Sequence, residues 1–142
     1  MSTSPLRWFD REKFRAVRKD RGLSLAALAR IADVSPSTIR HWESGLFLPS
    51  MESLALVVEV LNVSPPAVIS IPPGSATLSD LRALSFIPTG EVAEALGMQV
   101  SSLYSLERGE ISLSEDRAYI LASLFDVSVK EVLDAWERGR EF

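Results

Sequence analysis

Residues 23–45 read LSLAALARIADVSPSTIRHWESG, two short apolar patterns at helical spacing with barely a turn's worth of residues between them. Ser24 is an N-cap candidate for a helix running through Ile31, because a serine hydroxyl can accept from the unpaired amides of a first turn. Ser35 and Pro36 repeat that signal, with proline at the first helical position, where its missing N–H costs nothing. Ala29 is small enough to let the two helices approach, and Ile39 and Trp42 fall on the inward side of the second. The stretch therefore predicts a compact helix pair joined by a three- or four-residue turn.

Helices are also predicted on both sides of the pair. Upstream, Phe14 and Val17 mark a basic amphipathic helix ending near Gly22. Downstream, Ser50 opens a helix carrying Leu54, Leu56, Val57, Val60 and Leu61, and Ser64-Pro65 opens a last short one. Sliding the sequence by 64 positions sets Trp42-Glu43-Ser44-Gly45 over Leu106-Glu107-Arg108-Gly109, without a gap from Arg18/Arg82 to Val68/Val132. Leu28/Val92, Ala29/Ala93, Ile39/Leu103, Ser50/Ser114, Val63/Val127 and Ser64/Ser128 fall along it. Two units are too few for a solenoid, so the repeat means two tandem domains: residues 1–71, a linker 72–76 containing Pro72, Pro73 and Gly74, and residues 77–142. In the second, Ser114 is followed by Glu115 and Asp116, acids suited to a helix start. Ser128 with Glu131 makes a capping box. Only the start near Pro88-Thr89 lacks a signal. No strand pattern competes, and the expected fold is all-α, five helices in each repeat.

Composition removes several function classes. With 142 residues and 46% hydrophobic, the chain can bury one or two small cores. There is no cysteine and a single histidine, which excludes disulfides and Cys-based zinc sites, leaves little for a His-rich metal centre, and fits a reducing cytosol. MSTSPLRWFDREKFR becomes charged before any apolar core of a signal peptide develops, and Glu59 interrupts the best apolar run, Leu54 to Leu61. Neither a signal peptide nor a membrane span is expected. No cysteine nucleophile or Gly-rich phosphate loop is present, so we expect no enzyme and no cofactor. The net charge of −4 is unevenly spread. Through Pro72 there are nine Lys/Arg against seven Asp/Glu, a balance of +2, and beyond it six against twelve, or −6.

GLSLAALARIADVSPSTIRHWESG with LPSMESLALVVEVLNVSPPAVI, and EVAEALGMQVSSLYSLERG with SLSEDRAYILASLFDVSVKEVL, resemble the lambda-repressor-like, XRE/Cro-type, helix-turn-helix DNA-binding family. The resemblance covers about residues 10–70 and 77–137. DVSPSTIRHWESGLFLP also looks like the MerR-type helix-turn-helix. That reading ranks lower, since a helix with Arg18 precedes the pair and a helix, not wing strands, follows Pro49. In the XRE/Cro family an arginine of the first helix commonly pairs with the glutamate ending the recognition helix. Arg18 with Glu43, and Arg82 with Glu107, stand at those places. The resemblance implies that residues 36–44 enter the major groove with Pro36, Ser37, Thr38, Arg40 and His41 toward base edges. It places Ser24, Leu25, Ser35 and Ser44 where amides or hydroxyls reach phosphates. Arg40 has the fork that grips guanine O6 and N7, while Trp42 replaces the family's aliphatic core residue.

Departures from the family pattern concern the flanks and the second repeat. Where relatives often carry basic residues after the recognition helix, this chain has Leu46-Phe47-Leu48, suited to packing on the second repeat or on another chain. The matching loop of the second repeat begins with Glu110, and Glu91 and Glu94 precede it. Phosphates repel such a surface, although Ser101, Tyr104, Ser105 and Arg108 could still read bases.

The resemblance implies a cytoplasmic, nucleoid-associated, repressor-like transcriptional regulator of prokaryotic or phage type. Its partner would be double-stranded DNA, with a homodimer or a protein partner joined through the acidic repeat. The alternative is a protein-interaction module, an antitoxin or coregulator, with little DNA binding of its own. Overall acidity and the apolar loop favour the alternative; the basic first helix and Arg40 favour the regulator.

Overall fold

The computed structural model describes residues 6–141, which divide between Ser70 and Ile71 into two compact units. The described residues are all-helical. The first unit contains α1 (Arg11–Asp20), α2 (Leu25–Ala32), α3 (Pro36–Ser44), α4 (Met51–Leu61) and a 3-10 turn, Pro65–Ala67. The second contains α5 (Leu78–Ser85), α6 (Thr89–Ala95), α7 (Val100–Glu107), α8 (Glu115–Phe125) and α9 (Val129–Gly139).

The starts of α2, α3, α4 and the 3-10 turn, displaced by 64, are the starts of α6, α7, α8 and α9. The left-handed residues obey the same shift: Gly22 and Phe86, Asp33 and Gly97, Gly45 and Gly109, Asn62 and Asp126. A positive φ is needed at these places because each closes a helix or a turn into the next element. The repeat is therefore one of backbone conformation as well as of apolar pattern.

Capping accounts for most of the boundaries. Ser24 Oγ accepts from the Ala27 amide at 3.0 Å, Ser35 Oγ from Ser37 at 3.2 Å, and Ser50 Oγ from Ser53 at 3.2 Å. Thr77 with Asp80 and Ser128 with Glu131 close full capping boxes. Pro88 and Gln99, which precede α6 and α7, make no side-chain cap.

In the first unit Phe14, Leu28, Ala29, Ile39, Leu54, Val57, Leu61 and Val68 are fully buried. Phe9, Phe14 and Trp42 form a ring cluster with centroids 5.5–6.1 Å apart, so Trp42 lies in the core, 3% exposed. Leu78, Val92, Leu103, Leu106, Ala118, Leu121, Val132 and Ala135 fill the second core.

The fifth element differs between the units, a 3-10 turn in the first and the eleven-residue α9 in the second. After Ala67 the chain departs from helix because Ile69 forms an isolated antiparallel bridge with Phe9. The Asp10 amide donates to Val68 O at 2.8 Å and the Ser70 amide to Trp8 O at 2.9 Å. This pairing of the segment before α1 with the segment after the 3-10 turn left no alternating pattern in the sequence.

Candidate nucleic-acid interface

α3 is amphipathic because Ile39, Trp42 and Glu43 are buried. Pro36, Ser37, Arg40 and Ser44 are consequently exposed on the opposite stripe, with Thr38 and His41 half-buried at its margins. Spacings of four residues put Pro36, Arg40 and Ser44 on one line along the helix. No hydrogen bond or ion pair holds the Arg40 guanidinium among the described residues, and all five N–H donors of its fork are available. His41 stands edge-on to Phe47, centroids 5.1 Å apart, and its carbonyl accepts from Leu46 at 3.0 Å. Ser44 Oγ donates to that same carbonyl at 3.2 Å. Ser24 and Ser35 are exposed and Leu25 is half-buried; together they mark the starts of α2 and α3, where unpaired amides carry the positive end of the helix dipole.

The orientation of this stripe is set from behind. Arg18 Nε and Nη2 donate to the two carboxylate oxygens of Glu43 at 2.6 and 2.9 Å, with both residues under 10% exposed. This hydrogen-bonded carboxylate raises the Arg18 pKa above its ordinary value. The second unit repeats the arrangement: Arg82 Nε and Nη2 meet Glu107 at 2.7 and 3.2 Å. A planar fork on a carboxylate fixes direction as well as distance, tying the first helix of each unit to the end of its third.

On α7, Ser101 is exposed and Ser105 half-buried. Tyr104 is also half-buried, its hydroxyl enclosed without a hydrogen-bond partner and its ring 6.0 Å from the Arg82 guanidinium. Arg108 is exposed but bound: its Nε and Nη2 donate to the Glu110 carboxylate at 2.7 and 3.1 Å, which lowers the Glu110 pKa. Glu91, Glu94, Glu110, Glu115 and Asp116 are all exposed. The face of the second unit that matches the α2–α3 face of the first is thus anionic, and its one arginine on the loop is already occupied by a carboxylate.

Leu46, Phe47 and Leu48 are 62%, 58% and 47% exposed. They are not buried by their own loop, although Phe47 covers part of His41. Two residues that the sequence marked only as positive charge, Arg11 and Arg15, donate to the last turn of α3. Their spacing from Arg18, seven and three residues, was the available signal, since it puts all three on one face of α1.

The Helix-turn-helix family profile matches residues 14–68 and again 90–132, well over half of the chain. Searches of curated proteins and of solved structures return no match. With two matches on two units, each carrying the paired helices and the arginine–glutamate tie, the chain belongs to the lambda-repressor-like (XRE-type) helix-turn-helix family of DNA-binding regulators.

Proposed function

We propose that the chain is a sequence-specific transcriptional regulator of repressor type, prokaryotic or phage in kind, which inserts α3 of the first unit into the major groove. Arg40 carries this reading: it is the exposed guanidinium at the centre of the outward stripe of α3, with no protein partner among the described residues. In the groove Arg40 takes guanine O6 and N7. Pro36, Ser37, Thr38 and His41 face the neighbouring bases. Ser24, Leu25, Ser35 and Ser44 meet phosphates through hydroxyls and helix-start amides. Among the described residues no helix is long and apolar enough to cross a membrane, and the reading puts the protein on the nucleoid in the cytoplasm. It acts by binding, not by catalysis.

In the second unit the pairing of Arg108 with Glu110 and the five exposed carboxylates disfavour phosphate contact. We assign that unit to self-association or to a protein partner. A second reading, an interaction module with little DNA affinity, draws on the exposed Leu46-Phe47-Leu48 loop, since contiguous exposed apolar residues mark contact surfaces.

Amide chemical shifts on addition of a mixed-sequence duplex at low salt separate the two. The regulator reading expects perturbation at Ser24–Leu25 and across 35–44, and little across 100–108. Perturbation confined to the second unit, or none at all, contradicts it.

A further inference from the structure

The last four carbonyls of a helix have no partner within it, and those of α3 can be followed one by one. His41 O accepts from the Leu46 amide at 3.0 Å and Trp42 O from the Gly45 amide at 3.3 Å. Glu43 O accepts from Arg15 Nη2 at 2.8 Å, and Ser44 O accepts from Arg11 Nη1. Arg15 Nε also reaches the Glu43 carboxylate at 3.3 Å. Arg11, Arg15 and Arg18, at i, i+4 and i+7 on α1, therefore converge on one helical turn whose dipole end is negative. Gly45 leaves room for this: a Cβ there would come within 3.0 Å of Arg11 Cζ.

The second unit has no such convergence. Ser75 and Ser79 stand where Arg11 and Arg15 do under the 64-residue shift. Its α7 end is covered by α9 instead, whose Gly139 lies against the Glu107 carbonyl so closely that a side chain could not be added. The first unit ends in a 3-10 turn and has no such helix. Side chains of α1 there do what backbone packing does in the second unit.

We propose that Arg11 and Arg15 are positioning residues for the recognition helix. They lock the C-terminal turn of α3 to α1, fix the helix's tilt and so decide which bases Arg40 can reach, and they do not neutralise phosphates. This deepens the assignment of the first unit as the DNA reader, and its DNA arm rests on that assignment. It also changes the meaning of the basic first helix, since three of its cations point to protein.

Arginine supplies a planar fork and lysine a point charge, which gives the test its contrast. The full chain would be compared with Arg11→Met/Arg15→Met and Arg11→Lys/Arg15→Lys. One readout is hydrogen exchange at the Gly45 and Leu46 amides in the free protein, with second-unit amides as internal reference. The other is affinity, across a salt series, for a duplex selected by the wild type and for a scrambled duplex. The proposal expects both variants to speed exchange at Gly45 and Leu46. It also expects the selected-to-scrambled ratio to fall about tenfold, within the discrimination one bidentate contact provides, with the salt slope unchanged. It is overturned if exchange is unchanged, or if the Met variant lowers the slope by about 0.9 per arginine while the Lys variant restores binding. A wild type that selects no duplex defeats the DNA assignment alone; the exchange at Gly45 and Leu46 then decides the positioning role by itself.

Discussion

Removing the carboxylate of Glu43 leaves Arg18, 9% exposed, with a buried guanidinium and no counter-charge. Glu43→Ala is therefore expected to cost about 3–5 kcal/mol in urea unfolding, and Glu107→Ala a similar amount in the second unit. A loss under about 1 kcal/mol, the scale of an exposed pair, would show that the pair is solvated. The Arg18–Glu43 and Arg82–Glu107 pairs were legible through the family resemblance, which the recurrence of the same 25-residue spacing supports. Arg11 and Arg15 were legible only as charge: sequence gives the face of α1 they share, and the approach of another helix decides what that face touches.

Asp10 gives a pH dependence at the same scale. The Lys13 amide, with help from the Ser70 hydroxyl and the Glu12 amide, holds its carboxyl below the usual aspartate value of 3.8. A group with a depressed native pKa contributes its stabilisation fully above the ordinary value and loses it as pH falls through the native one. The stability gap between wild type and Asp10→Asn should accordingly be widest at neutral pH and narrow well below 3.8. An unfolding series that gives a constant gap down to about pH 2 would remove Asp10 from the account.

Among elements, α3 and α7 differ at the residue that precedes each. Ser35 caps α3, and Gln99, its counterpart, makes no cap on α7. Gln99→Ser should stabilise the second unit by about 0.5–1 kcal/mol, and Ser35→Ala should cost the first about 1 kcal/mol, both read from thermal midpoints. If Gln99→Ser gives no gain, the start of α7 is held by something other than its cap. Most helix starts were readable because Ser, Thr and Pro signal locally. The fifth elements were only partly so: the one opened by Ser64-Pro65 was expected to be short, but that it is a 3-10 turn rather than a helix follows from the Phe9–Ile69 bridge, a contact that spans nearly the whole unit. The end of α7 was equally hidden, since only the fold brings Gly139 to Glu107.

For the molecule as a whole, the 64-residue repeat pointed to the two-unit, all-helical organisation before any contact was known, because apolar positions and several punctuating residues recur together; the recurrence of the left-handed caps emerged only from the structure. The net charge hid the contrast between the two parts and its distribution exposed it: −4 is the sum of a first part at +2 and a second at −6. The structure sharpens that contrast through two arginines. Arg40 stands open on α3, whereas Arg108 is bound by Glu110. On the proposed reading, Arg40 reads DNA and Arg108 does not.

Selection of bound duplexes from a random pool at near-physiological salt, run in parallel with wild type, Arg40→Ala and Arg108→Ala, separates the two arginines. The wild type should yield a defined motif, kept by Arg108→Ala. In Arg40→Ala, preference should be lost at one position, at a cost of about 1–3 kcal/mol there. Equal losses in both variants, or a motif that survives Arg40→Ala intact, would contradict that reading.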